Sequence, residues 1–174
     1  KYGFFYRAEY LLKQSKSART ITYKISNTSS FFSDIHDRSS WSFYVPSSIE
    51  KPKFAYASCN GFSSPDLLAK TDEPYLLWDK LLDQHKAEPF SILIMGGDQV
   101  YADEIWSKVS ELEEWSRLKM TEKLKRKATK PMIRSLNDFY EKLYLKKWSD
   151  IQMSLCLATI PTIMMWDDHD IFDG

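Results

Sequence analysis

The sequence of 174 residues lacks several features that would indicate whole classes of protein. No run approaches the roughly 18–20 consecutive apolar residues that a membrane-spanning helix needs. The formal net charge is zero, so the overall charge favours neither a nucleic acid nor an anionic membrane as partner. There are two cysteines, Cys59 and Cys156, far apart in apolar surroundings. This usage favours a reducing compartment or a site role over a disulfide framework.

Targeting signals are also missing from the sequence. The chain begins at Lys1 rather than at methionine, and it has neither a signal-peptide pattern nor a twin arginine. We therefore expect it to start inside a longer or processed polypeptide, and both a cytoplasmic and a secreted location stay open.

Two further function classes receive little support. Asp98 follows an apolar run, as in a Walker B strand, but the chain has no Gly-rich loop ending in Gly-Lys-Ser/Thr, which argues against nucleotide hydrolysis. The segment 117–134 is dense in lysine and arginine but lacks interleaved aromatic residues. We interpret it as a solvated helix face or a loop rather than as a nucleic-acid site.

The pattern of residues 1–50 predicts a β-rich N-terminal segment, because aromatic and β-branched residues alternate there with polar ones. A Ser-rich loop is predicted over Ser26–Ser40, and the stretch from Pro46 to Pro52 is typical of a linker. Three runs have the character of strands: Tyr2–Tyr10, Thr20–Ile25 and Trp41–Val45.

From Lys53 onwards the pattern changes to strands that alternate with helices. Short apolar runs predict strands at Phe54–Ser58, Ser91–Met95 and Thr162–Trp166. Helical spacing of apolar residues predicts helices at Glu73–Lys86, Asp103–Trp115 and Leu136–Trp148. This alternation is typical of βαβ units, so the predicted class is α/β with a mostly parallel sheet.

Polar side chains follow each of the three predicted parallel strands. The first strand leads into Cys59, the second into Asp98 and Tyr101, and the third into the run Asp167–Asp170 with His169 at its centre. Ligand sites in open α/β sheets lie outside the carboxyl ends of the strands. We therefore expect these side chains to meet in one crevice.

The residue types indicate the chemistry of that crevice. A thiolate, a phenolate and carboxylates together suit Fe(III), with a second divalent ion on oxygen ligands. Asp98, on a tight Gly-Gly turn, is placed to bridge two metals. Two metals about 3.5–4 Å apart clamp a phosphate while one of them activates a water. His169 would then protonate the leaving alkoxide or stabilise phosphoryl charge.

Three motifs carry a specific resemblance to a known family. The segments ASCNG (57–61), GGDQVYADE (96–104) and WDDHD (166–170) resemble those of the PhoD-like (alkaline phosphatase D-like) metallophosphatases, within the calcineurin-like metallophosphoesterase superfamily. The GDxxY part is also similar to that of purple acid phosphatases. Asp168 stands directly before His169, where the wider superfamily has an asparagine. The resemblance covers roughly residues 53–174.

The resemblance implies hydrolysis of a phosphomonoester or phosphodiester by a metal-bound hydroxide at a binuclear site. Cys59, Asp98 and Tyr101 would hold Fe(III), with Asp98 as the bridging ligand. Asp168 would hold the second metal, which is Ca²⁺ in the family's type case, with Mn²⁺ and Zn²⁺ as alternatives. His169 would serve catalysis. The superfamily's later histidine and aspartate ligands are expected downstream, so the chain alone is expected to be inactive.

The same resemblance implies an architecture. Residues 1–50 would form a small sandwich-like β-segment, and residues 51–174 the N-terminal half of a metallophosphoesterase αββα sandwich. Half a sandwich leaves sheet edges and one sheet face exposed, so the C-terminal remainder of the catalytic domain is expected as a partner. No nucleic-acid-binding module is predicted.

Several alternatives stay open at this point. A purple acid phosphatase-like enzyme, or a non-catalytic metal-binding or interaction relative, would carry similar motifs. Asp103 is interpreted as a helix N-cap in preference to a partner of the site, and Asp167 as an orienting residue rather than a ligand. Cys156 is assigned to the core. His36 and His85 are given no role.

Overall fold

A computed structural model describes residues 6–25, 39–62 and 64–172 of the chain. Within these ranges it contains two small β-sheets and seven α-helices, which confirms the mixed α/β class. None of the described helices is long and apolar enough to cross a membrane. His36 and most of the predicted Ser-rich loop lie outside the described residues.

The N-terminal part contains an antiparallel pair of strands. Strand β1 (Arg19–Lys24) pairs with β2 (Ser40–Val45), so two of the predicted strands are confirmed. The third prediction is wrong for its described part, Tyr6–Tyr10, which forms no strand. Tyr6 and Tyr10 are both exposed, so the loose alternation of apolar and polar residues in this run does not place its apolar side chains on a buried face.

The second sheet is parallel and consists of β3 (Phe54–Ala57), β4 (Ile92–Met95) and β5 (Thr162–Met164), in the order β3-β4-β5. Two helices, α1 (Pro65–Ala69) and α2 (Leu76–Ala87), connect the first two strands. All three predicted parallel strands are confirmed, each slightly shorter than its apolar run. Their carboxyl ends lie at one edge, as parallel pairing requires.

One face of this sheet forms the main core. Leu93 and Met95 of β4 are buried against α2 and α7 (Ile151–Thr159), which supply Trp78, Met153 and Cys156. Cys156 is fully buried, which confirms its assignment to the core, and burial raises the pKa of its thiol to about 12. Helix α7 was not predicted, because its run is apolar on most sides and carries no amphipathic period.

The opposite face of the sheet is apolar but uncovered within the described residues. Tyr56, Ile94 and Ile163 occupy matching positions on the three strands and are 70%, 38% and 60% exposed. Strands of a parallel sheet are normally covered on both faces. Among the described residues, this face of the sheet therefore presents an apolar surface to solvent.

A second apolar cluster forms between the helices that follow β4. Ile105, Val109 and Leu112 are buried there against residues of α6 (Lys130–Trp148). The prediction of one helix over Asp103–Trp115 was wrong, because Val109 is extended and separates α3 (Ile105–Lys108) from α4 (Ser110–Ser116). Valine accommodates an extended backbone well.

The long helix of this cluster begins earlier than predicted. A short helix, α5 (Met120–Lys123), precedes it within the basic segment. The Thr129 side chain then caps α6 by accepting a hydrogen bond from the Met132 amide, and Pro131 lies in the first turn. Thr-x-Pro is a recognisable start signal for a helix. It was not used in the prediction, because the segment was interpreted from its lysine and arginine content alone.

Candidate metal centre

The three strand ends meet, as the sequence predicted. The Cys59 amide, just after β3, donates to the Gly97 carbonyl after β4 at 3.1 Å, and the Asn60 amide donates to the Asp98 carbonyl at 2.8 Å. From the other side, the Met165 amide after β5 donates to Met95 at 3.0 Å. The loop after β4 is therefore fixed between the other two.

Asp98 is the buried carboxylate at the centre of these loops. Its side chain is 6% exposed, and its Oδ2 lies 3.5 Å from the Cys59 sulfur. Its Oδ1 is buried and has no hydrogen-bond partner among the described residues. A buried carboxylate oxygen without a partner is costly and calls for a positive ligand. The Asp98 position thus fits a bound cation.

The backbone at the two strand ends adopts an uncommon conformation. Cys59 and Asp98 both have positive φ, 56° and 53°, in the left-handed region that non-glycine residues seldom occupy. Gly97 has a φ of 110°, and a Cβ on it would lie 2.5 Å from the Asp167 Cβ. Such strained positions cluster at functional sites, and here they turn the thiol and the carboxylate towards each other.

Two further predicted residues join Asp98. One ligand atom from each of Asp98, Asp168 and His169 can be chosen so that all three lie within 4.8 Å of one another. Asp168 is exposed, whereas His169 is half-buried. Both belong to a short 3₁₀ helix, Asp168–Asp170, that follows β5. The structure thus brings together the two carboxylates and the imidazole that the sequence selected.

Tyr101 lies at the edge of this group. Its ring centroid is 4.5 Å from that of His169, and its ring packs closely on Gly61, where a Cβ would lie 2.3 Å from the tyrosine Cδ2. Burial is the largest cause that raises the pKa of the Tyr101 phenol, and the charges of the neighbouring Cys59 and Asp98 raise it further. All five predicted site residues, the four candidate ligands and His169, are therefore neighbours, and the role of the four as ligands stays a prediction.

The imidazole of His169 is held by Asp103. The His169 Nδ1 lies 2.8 Å from the Asp103 Oδ2, and both side chains are about one-third exposed. Burial by itself lowers the pKa of His169, but the hydrogen bond and charge of Asp103, together with Asp168 and Asp98, raise it overall. Interpreting Asp103 as an N-cap was wrong, because α3 begins one residue later with Glu104 at that position.

Asp170, to which the sequence analysis gave no separate role within the WDDHD motif, organises both loops. Asp170 is 3% exposed, and its Oδ1 accepts the Val100 amide while its Oδ2 accepts the Asp167 amide, each at 3.1 Å. The Asp167 side chain accepts the Asp168 amide at 3.0 Å, which agrees with the predicted orienting role. An acid three residues after another acid is a capping-box pattern, and that signal could have identified Asp170.

Behind the thiol, Asn60 fixes the turn that carries Cys59. Its side-chain oxygen accepts the Trp78 indole hydrogen at 3.0 Å, and its amide nitrogen donates to the Gln99 carbonyl at 3.3 Å. Trp78 itself belongs to the main core. The Cys59 turn is thus anchored to the packed side of the sheet, and not only to the neighbouring loop.

Parallel strands whose carboxyl ends gather two aspartates, a histidine, a thiol and a phenol define a candidate metal centre in an α/β protein. Among known families, the profile of the PhoD related phosphatase family matches residues 12–174. The chain belongs to that family, and the resemblance drawn from its motifs is confirmed.

A relative is known in yeast. The chain is 30% identical over 186 residues to the uncharacterized protein YGR266W of Saccharomyces cerevisiae, a match that covers 98% of this chain and 25% of the relative. The chain thus spans about a quarter of that relative's length. No solved structure matches the chain significantly.

Proposed function

We propose that the protein containing this chain is a metal-dependent phosphoesterase, and that the chain supplies part of a binuclear centre for hydrolysis of phosphomonoesters or phosphodiesters. The observation that carries the proposal is the grouping of Asp98, Asp168 and His169 at the strand ends, with one buried Asp98 oxygen lacking a partner. Membership of the PhoD-related phosphatases supports the same reaction class.

The donor set suits Fe(III) together with a divalent ion, for which we favour Ca²⁺ over Mn²⁺ or Zn²⁺. Cys59 and Tyr101 would offer a thiolate and a phenolate to the iron, and Asp98 would bridge the pair. Asp168 would offer its carboxylate to the divalent ion. When bound, such a metal pair supplies an activated water near neutral pH and neutralises charge on the phosphate.

The chain's own contribution to the reaction is proton transfer and orientation. His169 would donate a proton to the leaving alkoxide oxygen. Because Nδ1 is engaged with Asp103 at 2.8 Å, Nε2 is the nitrogen that remains for this transfer. Asp103 thereby fixes the ring orientation, and its charge stabilises the protonated imidazole.

Further polypeptide is part of the proposal. The chain spans about a quarter of its yeast relative, and the exposed sheet face that carries Tyr56, Ile94 and Ile163 has no cover among the described residues. We infer that a C-terminal remainder packs on this face and adds the remaining metal ligands. Residues 1–50 and 51–174 would then be the N-terminal β-segment and the first half of the catalytic domain.

The proposal is tested on the full-length protein by measuring its metal content together with hydrolysis of para-nitrophenyl phosphate and bis(para-nitrophenyl) phosphate. We expect bound iron, a divalent ion and hydrolysis that a chelator abolishes. Tyr101→Phe serves as a control, because loss of the phenolate should remove the visible tyrosinate-to-iron absorption band. Bound metal without hydrolysis of either ester would instead indicate a non-catalytic relative, and absence of both would refute the metal centre itself.

Asp103→Asn tests the orientation of His169 in the same protein. An asparagine keeps the shape but loses the charge that stabilises the imidazolium, so we expect kcat to fall by about 10- to 100-fold while KM and metal content change little. Glu104→Gln, at the exposed neighbouring position, is the matched control and should leave kcat unchanged. An unaltered kcat in Asp103→Asn would show that this contact has no catalytic role.

A further inference from the structure

A cavity of about 320 Å³ lies among the helices of the second apolar cluster, and it has no role in the proposed reaction. Its wall combines three aromatic side chains, Trp106, Trp115 and Phe172, with residues of the basic segment 117–134. None of the candidate metal ligands lines it. Its volume falls in the range of small-molecule sites, about 300–1,000 Å³.

The aromatic side chains give the cavity part of its apolar lining. Trp106 and Phe172 meet edge to face, with ring centroids 4.8 Å apart. Trp115 lies on α4, and the Lys123 ammonium sits 5.2 Å from the centre of its ring. Half-buried aromatic rings of this kind accept another ring by offset stacking or by edge contact.

The polar lining favours an anion. Lys123, Arg126 and Lys127 contribute three positive charges against the carboxylates of Glu111 and Glu114. Glu111 is already engaged, since it accepts hydrogen bonds from Ser135 at 3.1 Å and from Ser110 at 3.3 Å. The ion pairs formed among the described residues do not involve Arg126 or Lys127. Arg126 and Lys127 are exposed residues at the cavity wall, and a guanidinium is well suited to a phosphate, sulfonate or carboxylate.

We propose that this cavity binds a small aromatic anion, with its ring against Trp106, Trp115 and Phe172 and its acidic group on Arg126 and Lys127. The site lies outside the candidate metal centre, and its existence does not depend on the phosphoesterase reaction. It also gives the basic segment a role other than that of a solvated surface.

Isothermal titration of the full-length protein with naphthalenesulfonate tests the proposal, with a chelator present so that the metal centre does not bind the probe. We expect saturable binding at one site. Naphthalenemethanol, which has the ring alone, and inorganic sulfate, which has the charge alone, should each bind at least about ten-fold more weakly, because each lacks one half of the recognition.

Arg126→Gln provides the decisive variant, and Lys125→Gln is its matched control, since Lys125 lies in the same segment but does not line the cavity. We expect Arg126→Gln to weaken naphthalenesulfonate binding about ten-fold and Lys125→Gln to leave it unchanged. The proposal is overturned if the probe does not bind, if both variants weaken binding equally, or if Arg126→Gln has no effect.

Discussion

Replacing Asp98 by asparagine is expected to lower phosphoesterase activity of the full-length protein about a thousand-fold or more, together with a loss of bound metal. The carboxylate is buried, its Oδ2 lies 3.5 Å from the Cys59 sulfur, and its Oδ1 has no hydrogen-bond partner among the described residues. Asparagine would keep the size of the side chain but remove the negative charge and one of the two oxygens that a bridging ligand needs. Activity and metal content measured on the same preparation check this expectation.

A measurement of the free energy of unfolding distinguishes loss of the metal ligand in Asp98→Asn from misfolding of the variant. The φ of Asp98 is 53°, and asparagine is among the residues that tolerate this left-handed region best. In metal-free protein the change also removes a buried negative charge, one oxygen of which has no hydrogen-bond partner among the described residues, so we expect the free energy of unfolding to be unchanged or slightly higher. Asp83→Asn, at an exposed position paired with Lys86, is the matched control and should change neither activity nor metal content. Full activity in Asp98→Asn would remove Asp98 from the centre.

Much of this site could be predicted because its residues directly follow recognisable strands. The apolar runs before Cys59, Asp98 and Asp168 are short, continuous and bounded by polar or Gly residues, so the strands and their shared edge follow from pattern alone. Side chains that directly follow adjacent parallel strands lie close together, so their proximity can be predicted without knowing the conformation of the loops. The likeness of the motifs to a family added the metals and the roles, which spacing by itself does not supply.

Other parts could not be predicted, because they depend on contacts between distant positions. The hydrogen bond from His169 to Asp103 joins residues that are 66 apart in sequence, and an aspartate before a helix is ordinarily an N-cap. The positive φ of Cys59 arises where its turn is hydrogen-bonded to the loop after β4. Helix α7 carries apolar residues around most of its circumference, so its sequence lacks the amphipathic period that identifies surface helices.

Substitution of Asp170 is the second change from which we expect a large effect, on both stability and activity. Its carboxylate accepts the Val100 amide with one oxygen and the Asp167 amide with the other, each at 3.1 Å, and the Tyr144 hydroxyl lies 3.4 Å from it. Burial, with Asp170 adding to it, raises the pKa of Tyr144 to about 12, so this phenol stays a donor. One buried side chain thus connects the loop that carries Asp98 to the loop that carries His169.

In Asp170→Asn a single acceptor oxygen replaces two, and the new amide group faces one of the two backbone N–H groups. We expect the free energy of unfolding to fall by about 1–3 kcal/mol, the cost of a buried donor left without an acceptor, and activity to fall with it as the two loops separate. Asp170→Ala removes both acceptors and should be more destabilising still. Denaturant unfolding followed by tryptophan fluorescence measures the change, and Asp72→Asn, at an exposed position, serves as the control. If Asp170→Asn keeps the stability and the activity of the native protein, the two loops are held together by other contacts, foremost the Ala102 amide donating to the His169 carbonyl at 2.9 Å.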